Sequence, residues 1–297
     1  MFISLLITTY NWKEALRLVL GGVAGQSRLP DEVVVADDGS RSDTAAMLRE
    51  EARDFPVPLR HVWQEDRGFR AARSRNLGIA AARGDYIVLI DGDMLLHRHF
   101  IADHETFARP GFFLQGGRLR ATEAETARLF AGGTPRFSPW LHGEFDSRHD
   151  FKRHNAFRWS WLARIRARPG SGRIMSCNMS FWRDDLLRVN GFDEQMLGYG
   201  SEDLEVAVRL KNCGIDSRQL RFAALAIHLH HATRAPPDPD DLSIPNNRVL
   251  RASRIEHRTR CELGVAQHLA EFATQPPDLR DDRSSGSSTL MDVRAAH

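Results

Sequence analysis

Cysteine is scarce: the 297 residues hold three, Cys177, Cys213 and Cys261, far apart and with no CxxC pair. So sparse and odd a set excludes a disulfide framework or a cysteine-rich zinc site, and reads as the reduced thiols of a cytosolic protein. Long apolar runs are missing as well. None approaches the roughly 18 residues needed to span a bilayer. The opening "MFISLLITTYN" has neither the basic start nor the apolar length of a secretion signal. A soluble protein, or one peripheral on the inner face of the cytoplasmic membrane, is the expectation. Charge of one sign is scarce too: 41 Lys and Arg against 39 Asp and Glu leave a formal net charge of +2, so no global field marks a nucleic-acid binder. No GxGxxG follows the first apolar run, which excludes a Rossmann dehydrogenase. No internal repeat is found.

What the chain does have is alternation. With 42% hydrophobic and 27% charged residues it can bury one large core or two small ones. "FISLLITTY" reads as a strand, and a helix is expected from about Trp12 to Gln26, with Leu16, Leu20 and Val23 at helical spacing. "DEVVVADDGS" is a second strand, followed by a helix from about Thr44 to Arg53 that Ser42 or Asp43 could cap. "LRHVWQE" is a third strand, "FRAARSRNLGIAAARG" a helix closed by Gly84, and "YIVLID" a fourth strand. Strands alternating with helices imply βαβ units, hence an α/β fold with a Rossmann-like, mainly parallel sheet and helices on both faces. Ligands of such sheets bind at the carboxyl ends of the strands. All but the third strand end in polar residues there: Thr8, Thr9, Tyr10 and Asn11; Asp37 and Asp38; Asp91 and Asp93. One site on that edge is the economical reading.

The run "YIVLIDGDMLL" ends a strand on two acids separated by one glycine. In an extended segment residues i and i+2 point the same way, so Asp91 and Asp93 can converge. Clustered carboxylates are costly unless a cation or a shared proton relieves them. Hard oxygen ligands suit Mg²⁺ or Mn²⁺, and such ions keep positions open for phosphate oxygens. The competing reading is an ordinary Asp-Gly turn.

"ITTYNW", "ADDGS", "GFRAARSRN" and then "DGD", in that order and spacing, resemble the family 2 glycosyltransferases of the GT-A fold. The resemblance covers about residues 1 to 234. It implies a nucleotide-sugar donor, a divalent metal, and sugar transfer to an acceptor hydroxyl. By that likeness Thr8, Tyr10, Asp38 and Arg70 line the base and ribose pocket. Asp91 faces the ribose or the metal, and Asp93 holds the metal. Residues 1–104 would then be the nucleotide-sugar-binding half and 105–234 the acceptor-binding and catalytic half of one domain. Residues 235–297 would form a C-terminal extension.

A second constellation is "GFDEQMLGYGSEDLEVAVRL". Ser201 could cap a helix whose first turn carries Glu202 and Asp203. Leu204, Ala207 and Val208 supply its apolar stripe, and Gly214 its stop. Acids there also simply complement a helix dipole. "GYGSED" resembles the ED motif in the second half of galactosyltransferase-like and chondroitin-polymerase-like enzymes. The resemblance makes Asp203 the base that takes the proton of the attacking hydroxyl, and Glu202 an acceptor ligand. Tyr199 stands where those relatives often have Trp, and could stack on a sugar face. In "AIHLHH", His228 and His230 share one strand face. The likeness to an H-L-x-H pattern makes His228 the first choice and His231 the second for a metal ligand. The earlier His97, His99 and His104 match no pattern and read as solvated surface.

The stretch from about 105 to 175 looks loop-rich. Within it "FKRHNAFRWSWLARIRARPGSGR", residues 151 to 173, has seven Lys or Arg and no acid, interleaved with Phe151, Phe157, Trp159 and Trp161. Basic plus aromatic points to an anionic acceptor or a peripheral contact with anionic membrane, where lipid-linked saccharides are built. A polar helix is expected over roughly 246 to 272, and the last 25 or so residues have the composition of a disordered tail. The resulting expectation is a metal-dependent, inverting glycosyltransferase with Mn²⁺ or Mg²⁺, a UDP-sugar donor by resemblance, and a saccharide or lipid-linked saccharide acceptor. A sugar nucleotidyltransferase would want a glycine-rich phosphate loop in place of "ITTYNW". A catalytically silent saccharide-binding partner would be expected to lack Asp93 or Asp203.

Overall fold

The computed structural model describes residues 1–138, 145, 157–166, 168–169, 174–232, 238–273 and 278–280. Its centre is a sheet in the order β3-β2-β1-β4-β9-β6-β10-β8. The first-half strands β1 (Ile3–Thr9), β2 (Glu32–Asp37), β3 (Leu59–Trp63) and β4 (Tyr86–Asp91) are mutually parallel. They are joined by α1 (Lys13–Ala24), α2 (Ser42–Ala52) and α3 (Ala71–Ala81). These elements fall where the hydrophobic pattern predicts. Neither Ser42 nor Asp43 caps α2; the helix starts after Arg41 with no side-chain cap.

Strand alternation divides the core in two. Leu5, Ile7, Val33 and Val35 face α1 and α2, whereas Leu6, Val34 and Ala36 face α3 and the second-half helices. Both faces are covered, so β1, β2 and β4 carry continuous apolar runs at their centres, as buried parallel strands do. Helix α3 lies so close that a Cβ on Gly78 would sit 2.3 Å from Leu6 Cδ1. Only glycine permits that approach.

The middle of the chain carries short elements between its loops. After the short β5 (Met94–Leu96) come α4 (Phe100–Phe107), β6 (Phe112–Gln115), β7 (Leu119–Arg120) and α5 (Glu123–Phe130). Further on stand α6 (Ser160–Arg166) and β8 (Arg168–Pro169). β9 (Asn178–Trp182) runs antiparallel to both β4 and β6, which inserts the second half into the same sheet. Then come α7 (Arg183–Arg188), α8 (Glu202–Asn212), β10 (Asp216–Gln219) and β11 (Ala226–His228). Strand β11 leaves the main sheet and lies between β5 and β7 in a second, three-stranded one. Strands this short carry too little periodicity to stand out in a polar sequence.

His104 is not on a solvated surface. It is fully buried, with Nδ1 2.8 Å from Ser180 Oγ and Nε2 3.0 Å from Asn178 Oδ1. Burial lowers its pKa to about 4, so it stays neutral and braces β9 against α4.

The C-terminal helix α9 is Pro245–Ile255, shorter than the span expected, with a single 3₁₀ turn later at Val265–Gln267. It clamps α8. Glu205 and Arg209, both buried, form a 2.6 Å ion pair, and Ser253 Oγ donates to Glu205 Oε1 at 2.7 Å. Asn247 Oδ1 accepts from Ser201 Oγ at 2.6 Å, and Asn246 Nδ2 donates to the Gly200 carbonyl at 2.9 Å. The tail beyond residue 280, and residues 151–156, 167 and 170–173 of the basic aromatic segment, lie outside the described residues. No helix of the described residues is long and apolar enough to cross a membrane.

Removing one partner of a buried ion pair leaves the other charge uncompensated. Glu205→Ala should therefore cost about 3–5 kcal/mol of folding stability, read as a shifted urea-unfolding midpoint at unchanged slope.

Candidate active site

The site forms where β1 and β4 end. The two strands are in register at Thr8 and Asp91, and Thr8 Oγ1 donates to Asp91 Oδ1 at 2.9 Å. Gly92 then turns tightly beneath β1: its N–H meets the Thr8 carbonyl at 2.7 Å, and a Cβ there would lie 2.9 Å from that oxygen. Asp91-Gly92-Asp93 is thus both a turn and a pair of acids.

Asp93 is separated from Asp91 in environment by what pairs next to it. β11 runs antiparallel to β5, with His228 opposite Met94, and the Leu229 N–H donates to the Asp93 carbonyl at 3.0 Å. That pairing carries the histidines to the acid. Asp93 Oδ2 is 3.4 Å from His228 Nε2 and 3.2 Å from His231 Nε2. Ligand atoms of these three residues all lie within 4.8 Å of one another. His230, on the exposed side, is not part of the group. Burial pushes the Asp93 carboxyl up, but the two histidines outweigh it and hold it below its ordinary value. Burial lowers His228 to about 4, leaving a neutral imidazole. Its hydrogen bond to Asp93 raises His231. A deprotonated carboxylate beside an unprotonated imidazole is the state a metal ligand set requires. Asp93 Oδ1 is buried and has no hydrogen-bond partner among the described residues. A buried polar atom left in that state is costly without a ligand. The donor set therefore fits a divalent cation.

Asp91 behaves differently. Burial raises its pKa, opposed first by the charge of Arg75. Arg75, on α3, is 4% exposed and was not singled out from the sequence. Its Nη1 pairs with Glu202 Oε1 at 3.0 Å, its Nη2 donates to Ser176 Oγ at 2.9 Å, and its guanidinium lies over the Phe192 ring. The signal was present: Ala72 and Ile79, three before and four after, make Arg75 a cation on an apolar helical stripe.

Ser176 also reaches Asp203, its N–H donating to Oδ2 at 3.2 Å, while Oδ1 accepts from the Leu204 N–H at 2.8 Å. One residue on, Cys177 precedes β9, whose Asn178 is in register with Ile90. The turn entering β9 thereby brings Asp203 and Glu202 to the end of β4. The approach to α8 differs from a simple cap. Gly198, Gly200 and Ser201 all have positive φ, of 79°, 113° and 69°, and Ser201 spends its hydroxyl on Asn247. Asp203 is raised to about 6, by burial first and by the neighbouring Glu202 charge second.

The remaining candidates line the approach. Asp38 is buried, accepts from the Arg70 N–H at 2.9 Å and from Gln64, and is raised by burial. The Arg70 guanidinium turns to the Glu65 carbonyl, and burial lowers its pKa. Tyr10 is 52% exposed and donates to Asp66 Oδ2 at 2.9 Å, away from the acids. Tyr199 stands edge-on to Phe69, ring centres 5.9 Å apart, and the Gly198 N–H donates to the Phe69 carbonyl at 3.1 Å. Phe69, also unmarked in the sequence, makes the rim of the cleft a joint product of both halves.

A carboxyl whose folded pKa lies above its unfolded value disfavours the fold once it ionises. For Asp203 that penalty is absent below the ordinary carboxyl value of 3.8, grows through the interval up to about 6, and is complete above it. Asp203→Asn should raise unfolding free energy at pH 8 by about 2 kcal/mol, with the gain vanishing near pH 4. Denaturant titrations at the two pH values check the sign.

The chain is similar to known proteins in sequence and in fold. Residues 4–127 match the model of glycosyl transferase family 2, and residues 162–232 match that of the N-terminal domain of galactosyltransferase. The chain is 29% identical over 237 residues to validoxylamine A glucosyltransferase of Streptomyces hygroscopicus subsp. limoneus, covering 72% of this chain and 48% of that protein. It thus spans about half the length of this curated relative. Among solved structures it resembles S. aureus TarS 1-349 in complex with UDP-GlcNAc, at TM-score 0.56 and 18% identity, covering 92% of this chain and 71% of that one. It also resembles the mannosyltransferase PcManGT from Pyrobaculum calidifontis in complex with GDP-Man and Mn²⁺, at TM-score 0.52 and 20% identity, covering 94% and 66%. These likenesses carry the fold, a GT-A glycosyltransferase architecture. Residues 4–127 thus form a module of the family 2 glycosyltransferase type, followed over residues 162–232 by one of the galactosyltransferase type.

Proposed function

We propose that the chain moves a sugar from a nucleotide sugar to an acceptor hydroxyl by a single displacement that inverts the anomeric carbon. What supports this reading is a pair of chemically distinct groups, both near enough for their charges to act on Cys177. One is Asp93 with His228 and His231; the other is Asp203, its pKa raised to about 6.

Asp93, His228 and His231 would hold the cation. Mixed carboxylate and imidazole donors suit Mn²⁺, with Mg²⁺ the harder alternative. When bound, the ion supplies positive charge against the diphosphate that departs with the C1–O electron pair. Asp38 and Arg70 are assigned to the nucleotide pocket with Thr8 and Tyr10, and Asp91 to the ribose side. Thr8 acts by orienting Asp91 through its 2.9 Å hydrogen bond.

Asp203 is the general base. A carboxylate raised towards neutrality is a better proton acceptor than an ordinary one, and is still ionised at pH 7. Both backbone N–H bonds fix its oxygens, so it can take the acceptor proton as oxygen attacks C1 from the face opposite the leaving group. Glu202 binds the acceptor and is itself held by Arg75. Tyr199 with Phe69 offers a ring face and edge to a sugar. A uridine nucleotide is assigned on resemblance. The acceptor is assigned as a saccharide or lipid-linked saccharide. Phe157, Trp159 and Trp161, 49%, 50% and 62% exposed, are the contact offered to an anionic membrane surface.

A screen of UDP- and GDP-sugars with Mn²⁺, read as released nucleotide, tests the activity. Asp203→Asn should lower turnover at least about a thousandfold with donor affinity in isothermal titration unchanged; an equal loss of donor affinity rejects the base. Asp93→Asn and His228→Ala should each weaken Mn²⁺ binding at least about tenfold, measured directly by titration of the ion. Vesicle flotation with anionic lipids at low salt should retain the protein, and Trp159→Ala with Trp161→Ala should release it.

A further inference from the structure

His231 is the least enclosed of the three donors that meet at Asp93. Side-chain exposure is 13% at Asp93 and 8% at His228, but 37% at His231. His228 ends β11 and is paired on both sides, to Met94 and to Arg120, whereas His231 lies past the end of that strand. A half-open imidazole on irregular backbone has several staggered rotamers within reach, and holding Nε2 on Asp93 costs it that freedom. A neighbour that removes the other rotamers in advance makes the donor set cheaper to assemble.

Two elements distant in sequence close on this residue. Helix α5 takes the backbone, the His230 N–H donating to Thr126 Oγ1 at 2.8 Å. Trp12 takes the ring. Its indole and the His231 imidazole form a T-shaped pair, with centres 5.6 Å apart and planes at 79°. That is the spacing and tilt aromatic pairs prefer. His231 Nδ1 meets the Ala232 carbonyl at 3.1 Å. A carbonyl can only accept, so in the neutral ring Nδ1 carries the proton and the lone pair lies on Nε2, the atom 3.2 Å from Asp93.

Trp12 is itself well anchored. Its carbonyl accepts from the Leu16 N–H at 3.1 Å where α1 begins, and it packs against the core and, at 6.2 Å between ring centres, against Phe130 at the end of α5. Before it, Asn11 turns the chain at a φ of 48°, its N–H on Ser40 Oγ and its Oδ1 on the Arg41 N–H. The indole is therefore a fixed wall against which a mobile imidazole can be set.

We propose that Trp12 is a positioning residue for the metal centre. The indole that follows β1 holds the His231 imidazole in the rotamer that completes the donor set of Asp93 and His228. Without it His231 turns away to solvent, and two protein donors are left. The inference rests on the cation site of the sugar-transfer reading and adds to it a residue that acts only through His231.

The test is titration of Mn²⁺ alone into the full chain, Trp12→Leu, His231→Ala and the double variant, which together close a cycle. Trp12→Leu should weaken Mn²⁺ binding about tenfold, as loss of a partner behind a metal ligand does. Trp12→Phe keeps an aromatic ring and should recover most of the affinity. In the His231→Ala background Trp12→Leu should change Mn²⁺ binding less than about twofold, because the ring it positions is gone. A merely structural Trp12 would instead weaken the ion by the same factor in both backgrounds. Urea unfolding of each variant separates loss of the fold from loss of the ion, and Trp12→Met takes the place of Trp12→Leu should the latter not fold. Undiminished Mn²⁺ affinity in Trp12→Leu or in His231→Ala, equal losses in the two backgrounds, or a Trp12→Phe variant no better than Trp12→Leu overturns the assignment. If the unaltered chain binds no Mn²⁺, the cation reading itself falls, and this proposal with it.

Discussion

A single buried guanidinium holds the site together. Arg75 comes from α3, in the first half of the chain, and meets Glu202 and Ser176 from the second. Its charge also acts on Asp91 and Asp203. Without it, Asp91, Glu202 and Asp203 would be gathered in a part-buried cleft with their largest positive partner removed. With it, the acids can be brought close without each being driven to protonate. The same contact ties α3 to the start of α8.

Two environments then divide the work among chemically identical groups. Asp93, facing His228 and His231, is held ionised. Asp203, buried beside Glu202, is raised to about 6. Like carboxylates with pKa values pushed apart are the usual mark of separate roles, one as a ligand and the other as a base. The loop before α8 serves this division. Its run of positive φ angles turns the chain into α8, whose first turn carries Glu202 and Asp203, and Asn246 and Asn247 of α9 secure it from behind. The C-terminal helix is thereby part of the support of the site.

The sequence displayed the first half well. Apolar runs such as "VVVA" and "YIVLI" lie in the middle of a two-faced sheet, where every side chain is buried, and so they stand out. Strands β6, β7, β8 and β10 do not, being two to four residues long and mixed in polarity. The short strands within the loop-rich stretch from about 105 to 175 were illegible for this reason. His104 was misjudged because a buried histidine satisfied by Ser180 and Asn178 looks no different in sequence from an exposed one. Ser201 looked like a helix cap because its residue type suits one, but its backbone is left-handed and its hydroxyl is spent elsewhere.

What the sequence determined alone is local. Alternation put Asp91 and Asp93 at a strand end, Gly92 let the turn pass under β1, and the neighbours of "SED" started a helix on two acids. Such features depend on residues within a few positions of each other, so order in the chain suffices to read them. Which acid would meet which partner was decided only by the tertiary structure. β11 pairing with β5 delivers His228 and His231 to Asp93, and β9 pairing with β4 delivers Ser176, and through it Asp203, to Asp91. Those pairings join residues more than eighty positions apart. Their energy lies in buried contacts across the sheet, which no stretch of sequence carries by itself.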